Sequence, residues 1–329
     1  MIISRTPFRI SFFGGGTDYP VFYGEHGGAV LSTSINKYCY VICRYLPPFF
    51  DYNYRIRYRK QEEVKSISEI EHPAVRECLN FIHLPQGVEI QHNADLPAMS
   101  GLGSSSAFTV GVLNALNALQ GKMITKRQLA LDAIHVEQVM IRENVGSQDQ
   151  TIAAFGGFNK IEFGGSQKIT VHPVTIEQGK LDSLQAHLML YFTGYPRNAS
   201  EIAREQIRKT PEKKTELKAM MEMVDEAITI LNGMDDRISD FGKLLHESWL
   251  LKRSLTPQIS SASLDEIYQA GIDSGAEGGK LLGAGGGGFM LFFVRPELHQ
   301  NVREKLNKLL YVPFNFHNLG SQIIYYAPE

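Results

Sequence analysis

Residues 97–108, PAMSGLGSSSAF, carry the sequence pattern with the clearest chemistry. Gly101 and Gly103 remove side chains from a loop, and Ser104–Ser106 fall where a helical run, VGVLNALNAL, begins. The first turn of a helix presents unpaired N–H groups and the positive end of the helix dipole, which together bind phosphate. A single serine would be enough to cap the helix. Three serines behind two glycines therefore predict a phosphate-binding loop.

Two carboxylates follow this loop at positions where they could assist phosphate transfer. Glu137 borders the apolar stripe of a predicted helix over 126–143, and Asp149 lies in a polar turn just beyond it. A carboxylate such as Asp149 could accept the proton of an attacking hydroxyl, and a basic residue opposite it, Arg9, would favour its charged form. Mg²⁺ prefers hard oxygen ligands, which the Ser105 hydroxyl and Glu137 could supply.

The stretch RISFFGGGTDYP, residues 9–20, runs from a strand-like segment into three glycines. Glycine is the residue that loses most freedom on ordering, so three in a row favour unusual dihedrals or a close approach of the backbone to a ligand. Flexible turns also use such glycines. The triplet by itself leaves both interpretations open.

Two common nucleotide-binding patterns are excluded by their context. No Gly-Lys pair is followed by Ser or Thr, which excludes a Walker-type loop. Residues 283–288, GAGGGG, match G-x-G-x-x-G but lead into the strand-like run FMLFFV. A dinucleotide fingerprint must instead follow a strand and open a helix.

The elements that must position these residues suggest an α+β architecture. The first half reads mainly as strands, with helices over 104–119 and 126–143. In the second half, apolar residues at helical spacing over 217–231 and 238–249 predict two helices that pack into the core. Helices on one face of a mostly antiparallel sheet fit this order better than regular βαβ alternation.

Composition limits the class of protein further. The 329 residues have a formal net charge of −2, which gives no electrostatic footprint for nucleic acid or an anionic membrane. No apolar run approaches the length of a membrane helix. Cys39, Cys43 and Cys78 suit a reducing compartment, and the first two are predicted to be buried thiols. We expect a cytoplasmic protein without nucleic-acid or membrane partners.

Three segments, RTPFRISFFGGGTDYP, PAMSGLGSSSAF and KLLGAGGGGFMLFF, occur in this order over residues 5 to about 294. In sequence and separation they resemble the three signature segments of the GHMP kinases. The resemblance implies the GHMP kinase fold, with a domain like ribosomal protein S5 domain 2 over 1–175 and a ferredoxin-like domain over 176–329. It further implies a phosphotransferase that binds ATP and Mg²⁺ between the domains and acts on a small sugar or sugar phosphate. The oligomeric state stays open, with a homodimer among the options.

The resemblance also assigns roles residue by residue. It implies an ATP-binding loop formed by Ala98, Ser100, Gly101, Leu102, Gly103, Ser104, Ser105 and Ser106. It implies that Ser105 and Glu137 hold Mg²⁺ and that Asp149, twelve residues after Glu137, is the catalytic base paired with Arg9. It implies acceptor contacts from Gly15, Gly16, Thr17, Asp18, Asp149, Gly285 and Gly286.

Departures from the family pattern narrow the substrate. Galactokinases carry Glu-His where this chain has Gly15-Gly16, which disfavours galactose, while the retained Thr-Asp-Tyr favours a sugar. The form FFGGGTDYP with KLLGAGGGGF is most similar to kinases of D-glycero-D-manno-heptose 7-phosphate, which make the 1,7-bisphosphate on the way to nucleotide-activated heptose. Bacterial fucokinases, which act on an unphosphorylated sugar, are the alternative.

A phosphorylated acceptor requires a cationic pocket. Its candidate residues are Lys37, Arg197, Lys252, Arg253 and Lys280. Two other classes of protein are alternatives on the same fold: an ATP-binding sugar sensor without turnover, and a decarboxylase. The presence of both Glu137 and Asp149 argues against the sensor, and Thr17-Asp18-Tyr19 argues against the decarboxylase.

Overall fold

Two β-sheets organise the chain in the computed structural model, which describes residues 1–98, 100–164, 168–194, 199–233 and 237–327. Within these residues the larger sheet has nine strands and the smaller has four. The strands of the larger sheet are β1 (Ile2–Phe13), β2 (Gly28–Tyr45), β3 (Tyr54–Arg57), β4 (Gln61–Val64), β5 (Val88–Ala94), β6 (Phe158–Gly164), β7 (Lys168–Pro173), β12 (Phe316–His317) and β13 (Gln322–Tyr326). Those of the smaller sheet are β8 (Leu188–Phe192), β9 (Ala276–Leu281), β10 (Phe289–Val294) and β11 (Leu310–Tyr311).

The predicted helices over 104–119, 217–231 and 238–249 are present, together with several helices that the sequence did not predict. They are α1 (Pro20–His26), α2 (Pro73–Ile82), α3 (Ser104–Leu119), α4 (Lys126–His135), α5 (Gln148–Phe155), α6 (Gln178–His187), α7 (Ala199–Lys209), α8 (Lys214–Asn232), α9 (Ile238–Leu255), α10 (Ala262–Asp273) and α11 (His299–Lys305). Helix α3 is apolar on almost every side and packs on β1 and β2, as a central helix does. The structure describes no helix that is long and apolar enough to cross a membrane.

The two predicted amphipathic helices are α8 and α9, and their apolar residues do belong to the core. Leu217, Val224 and Leu231 of α8 are buried, as are Phe241 and Trp249 of α9. The three cysteines are free and buried, which agrees with their interpretation as core thiols.

The predicted helix over 126–143 is present as unbroken helical backbone from Lys126 to Ile141, but its last six residues are not α-helical. Helix α4 ends at His135, the backbone continues as a π-helix over Val136–Ile141, and Arg142 then adopts a left-handed conformation with φ +62°. A π-helical turn holds an extra residue, which shifts the side chains after it relative to the α-helical stripe. Glu137, at the start of this segment, is turned fully into the core.

Strand β1 contains the first part of the first signature segment and packs against α3, α5, α8 and α9. Its antiparallel register with β2 shifts between Pro7 and Arg9 and again between Ser11 and Phe13. Such bulges redirect side chains and are frequent beside functional sites. Arg9 therefore lies between two irregularities that set the direction of its side chain.

No single position in the described chain separates the strands of the larger sheet from those of the smaller sheet. Strands β12 and β13, close to the C-terminus, return to pair with β2 and β1 of the larger sheet. The division into 1–175 and 176–329 stays a prediction.

Candidate active site

Helix α3 begins directly behind the predicted phosphate-binding loop. Its N-cap is Gly103, in the left-handed conformation with φ +75°, and no side chain caps the helix. A Cβ on Gly103 would lie 3.3 Å from Cγ of Arg9. The N–H groups of the first turn are therefore not covered by a capping side chain, which leaves this end of the helix available to an anion.

A cavity of about 730 Å³ opens at this end of α3, within the size range of small-molecule sites. One part of its wall is aromatic and includes Tyr58, His72, His92 and Phe108. Phe108 lies one turn into α3, with its ring centroid 4.9 Å from that of His72 and 4.7 Å from that of His92. The other part is polar and charged. It includes Arg9, Asp18, Asp149, Lys252 and Lys280.

Arg9 and Asp149 form a bidentate ion pair in the polar part. Nε and Nη2 of Arg9 donate to Oδ1 and Oδ2 of Asp149, each at 2.8 Å. Nη1 of Arg9 donates to the carbonyl of Gly101 at 2.6 Å, which ties the pair to the phosphate-binding loop. The Arg9 side chain is 4% exposed and that of Asp149 26%, so the carboxylate reaches the cavity while its partner is buried beneath it. Two parallel charge-assisted bonds fix the plane of the carboxylate.

Asp18 is the second acid of the polar wall and is 3% exposed. Burial raises its pKa, and the negative charge of Asp149 acts in the same direction, while hydrogen bonds from the backbone of Gly16 and Gln148 oppose the rise. Gly146 makes room for this carboxylate, since a Cβ there would lie 1.8 Å from Oδ2 of Asp18. Nothing in the sequence pattern identified Gly146 in advance.

The three glycines of the first segment have different surroundings. A Cβ on Gly14 would lie 1.9 Å from the carbonyl oxygen of Ala29, and one on Gly16 would lie 2.7 Å from Nε2 of Gln206. Both residues also have positive φ, +78° and +108°. Gly15 has neither constraint: it lines the cavity, and its Cβ would meet nothing closer than 3.8 Å. The backbone geometry thus requires Gly14 and Gly16, while the absence of a side chain at Gly15 only enlarges the cavity.

Thr17, predicted to contact the acceptor, does not line the cavity. It is fully buried, and its hydroxyl donates to the carbonyls of Gly14 and Ala29 at 2.8 and 2.9 Å. These bonds stabilise the turn that presents Gly15 and Asp18 to the cavity.

Glu137 lies below the cavity wall and is 1% exposed. The Ser106 hydroxyl donates to its Oε2 at 2.8 Å, and the Gln150 side-chain amide donates to the same oxygen. Burial raises the pKa of Glu137 to about 7, although the nearby Thr109, Ser106 and Gln150 side chains lower it. Its other oxygen, Oε1, is buried without a hydrogen-bond partner among the described residues.

The predicted ATP-loop residues differ in how far they reach the cavity. Those that line it are Ala98, Gly101, Gly103, Ser104, Ser105 and Ser106. Ser100 and Leu102 are buried behind them, and the Leu102 carbonyl accepts a hydrogen bond from the Arg9 amide at 3.0 Å. Ser105 is exposed, and Ser106, not Ser105, contacts Glu137.

The third signature segment supports the loop from the opposite side. A Cβ on Gly288 would lie 2.2 Å from the carbonyl oxygen of Ser100, so the two segments are in close backbone contact. Gly283 and Ala284 line the cavity. Gly285 and Gly286 instead pack on Ile259, with a hydrogen bond of 2.9 Å from the Gly286 amide to the Ile259 carbonyl. Acceptor contacts by Gly285 and Gly286 stay a prediction.

The residues predicted to form a cationic pocket differ in whether they line the cavity. Lys252 and Lys280 line the cavity. Lys37 is half-buried away from it, and Arg253 is paired with Asp265 at 2.7 Å outside it. Arg197 lies outside the described residues. Sequence reasoning did not identify Gln206 or the aromatic wall, because isolated residues of these types carry no motif.

The fold and this site define a phosphotransferase that acts on an alcohol group. The family model "GHMP kinases N terminal domain" matches residues 67–157, and "GHMP kinases C terminal" matches residues 212–312. The chain belongs to the GHMP kinases, which use ATP as the phosphate donor.

Among its relatives, the chain is 32% identical over 319 residues to the D-glycero-alpha-D-manno-heptose 7-phosphate kinase of Campylobacter jejuni, covering 93% of each protein. It is 24% identical over 333 residues to the bifunctional fucokinase/GDP-fucose pyrophosphorylase of Arabidopsis thaliana, covering 92% of this chain and 31% of that protein. A crystal structure of a D-glycero-D-manno-heptose 1-phosphate kinase from Bacteroides thetaiotaomicron superposes with a TM-score of 0.81, 24% identity and 99% of each chain covered. That structure supports the shared fold.

Proposed function

We propose that this chain transfers the γ-phosphoryl group of ATP to the anomeric hydroxyl of D-glycero-D-manno-heptose 7-phosphate. The product is the 1,7-bisphosphate, a precursor of nucleotide-activated heptose for surface polysaccharide. One observation carries the proposal: the buried Arg9 holds Asp149 by two 2.8 Å bonds at the wall of a cavity that also contains the uncapped end of α3 and Asp18. The similarity to the Campylobacter jejuni heptose 7-phosphate kinase supports this choice of acceptor.

In this proposal the ATP phosphates bind at residues 100–106. The first-turn amides of α3 and the loop glycines supply hydrogen-bond donors without a competing side-chain cap. The aromatic wall around Phe108 offers a stacking surface to the base. The aromatic and the polar parts of the cavity wall adjoin the same end of α3, so one nucleotide could contact the first with its base and the second with its phosphates.

Asp149 accepts the proton of the attacking hydroxyl as the new oxygen–phosphorus bond forms and the bond between the γ-phosphorus and the leaving oxygen of ADP breaks. The two bonds from Arg9 orient the carboxylate toward the cavity. We propose that Asp18 holds another hydroxyl of the sugar, which is supported by its burial at the same wall of the cavity. Catalysis in such transfers rests mainly on positioning and charge stabilisation.

The residues below the phosphate-binding loop fit a magnesium ion. Glu137 has one carboxylate oxygen buried without a partner, and the hydroxyls of Ser105 and Ser106 lie on the adjoining turn of α3. Carboxylate and hydroxyl oxygens are the hard ligands that Mg²⁺ prefers. When bound there, Mg²⁺ would neutralise charge on the β- and γ-phosphate oxygens. We propose Glu137, with Ser105 as predicted or Ser106, as its protein ligands.

The proposal is tested by an ADP-release assay over free sugars and sugar phosphates. Turnover with the heptose 7-phosphate and none with fucose is the expected result. Turnover with fucose and none with the heptose 7-phosphate would replace the proposal with the fucokinase-like alternative. The reaction consumes ATP, so the cytoplasm is the compartment that we propose for it.

A further inference from the structure

Lys280 of β9 is unusual because it is 2% exposed and still lines the cavity. Its Nζ donates to the carbonyl of Phe12 at 2.6 Å, two residues before the glycine triplet. Lysine side chains are almost never fully buried unless they are paired. A carbonyl oxygen supplies a partial charge but no counter-ion.

A second buried lysine lies close by. Lys252 of α9 is 5% exposed, lines the same cavity and donates to the carbonyl of Gly283. Burial lowers the pKa of Lys280 well below the usual range of a lysine, and the positive charges of Lys252 and Arg9 lower it further. The charge of Arg9 is matched by Asp149. Lys280 thus has the positive charge of Lys252 near it at the cavity wall, and among the described residues no carboxylate forms an ion pair with Lys280.

Buried positive charge of this kind is stabilised by a bound anion. Phosphate monoesters carry up to two negative charges and several acceptor oxygens, so they can accept hydrogen bonds from two ammonium groups. We propose that Lys252 and Lys280 form a site for a phosphate group carried by the acceptor. This inference deepens the proposed function and rests on it, since it assumes that the cavity binds an acceptor sugar.

The position of the lysines favours the acceptor over the nucleotide as the source of this phosphate. Both lysines project from elements around the smaller sheet, whereas the nucleotide phosphates have their donors at the N-terminus of α3. Lys280 contacts the strand that leads into Gly15, and Gly15 with Asp18 forms the wall that we assign to the sugar. A phosphorylated sugar therefore has its hydroxyl and its phosphate recognised in the same part of the cavity.

The test compares Lys252→Met and Lys280→Met with Lys243→Met as a matched control. Lys243 lies on the same helix as Lys252, but its side chain is 66% exposed and paired with Asp240. Each variant is assayed with the heptose 7-phosphate and with the same heptose lacking the phosphate. We expect kcat/KM for the phosphorylated acceptor to fall roughly 10- to 100-fold in each cavity variant, as expected for the loss of a charge-assisted hydrogen bond. The value for the unphosphorylated heptose and the KM for ATP stay within about threefold, and the control matches wild type.

An equal loss of kcat/KM on both acceptors, or a change confined to the KM for ATP, would overturn the proposal. The lysines would then act on the transferred phosphoryl group, bind the nucleotide or stabilise the fold.

A second measurement does not depend on turnover. Inorganic phosphate is titrated calorimetrically into protein saturated with a non-hydrolysable ATP analogue, and wild type and control bind it while both cavity variants lose it. Retained binding in both variants rejects the lysine site. Absence of turnover on any sugar, with lysine-dependent phosphate binding intact, rejects the proposed function alone.

Discussion

Replacement of Asp149 by Asn tests the catalytic pair with the smallest change in shape. The carboxylate receives two bonds of 2.8 Å from Arg9. An Asn side chain keeps one acceptor oxygen and turns an NH₂ group toward the second guanidinium donor, so one charge-assisted bond is lost. The proton acceptor is lost as well. General-base assistance is typically worth about 10²- to 10⁴-fold in rate, so we expect kcat to fall by that factor. This fall corresponds to a rise of about 3–5 kcal/mol in the activation free energy.

ATP affinity should change little in this variant. The bond of 2.6 Å from Arg9 to the Gly101 carbonyl, which ties the ion pair to the phosphate-binding loop, does not involve the Asp149 carboxylate. The charge of Arg9, now partly unmatched and buried, lowers the free energy of unfolding by about 1.5–3 kcal/mol, the usual value of a hydrogen bond to a charged group.

The assays are ADP release for kcat, calorimetric titration for ATP affinity and urea unfolding for stability. The matched control is Asp225→Asn, which makes the same chemical change at a side chain that is 71% exposed and paired with Lys160 on the surface. The control should differ from wild type by less than twofold in kcat. A kcat within tenfold of wild type in Asp149→Asn, or a loss of ATP affinity as large as the loss of kcat, would refute the assigned role.

Four further substitutions test other parts of the site. Gly14→Ala should reduce soluble expression and stability, because its Cβ would overlap the Ala29 carbonyl. Gly15→Ala should fold like wild type and change mainly the KM for the sugar. Equal melting temperatures for these two variants would contradict this prediction. Glu137→Gln should raise the Mg²⁺ concentration needed for half-maximal activity by at least about tenfold while the fold is retained, and an unchanged Mg²⁺ dependence would exclude Glu137 as a ligand. The pKa of Lys280 is lowered in the folded state, so its burial destabilises the protein at every pH below the pKa of an ordinary lysine. Lys280→Met should therefore have a higher melting temperature than wild type at pH 7, and this difference should shrink toward pH 10. A lower melting temperature than wild type at pH 7 would contradict this prediction.

Much of the site could be predicted from the sequence because its parts lie in contiguous segments. The glycines and serines of residues 100–106 have a local physical reason, the exposed end of α3, and the structure has this end uncapped. The pairing of Arg9 with Asp149 joins residues far apart in the chain and was expected from charge and family pattern together. The amphipathic spacing in α8 and α9 identified core faces correctly, because it is a property of each helix alone.

Other features depend on tertiary contacts that leave no local signal. The π-helical segment that turns Glu137 inward has the same apolar spacing as an ordinary helix, so the sequence predicted one continuous element. Thr17 is followed by Asp18 in the motif, but its hydroxyl is used by the turn itself. Lys252 and Lys280 could be named only among five candidate cations, since burial in a common cavity follows from the packing of α9 and β9.

The most direct test of the central claim is ³¹P NMR of the purified protein incubated with ATP, Mg²⁺ and D-glycero-D-manno-heptose 7-phosphate. The account predicts a new anomeric phosphate resonance that grows with ADP, while the resonance of the 7-phosphate persists, and neither change occurs in Asp149→Asn on the same timescale. Contradiction would come from ADP formation without an anomeric phosphate, or from an unchanged spectrum alongside efficient phosphorylation of a sugar that carries no phosphate.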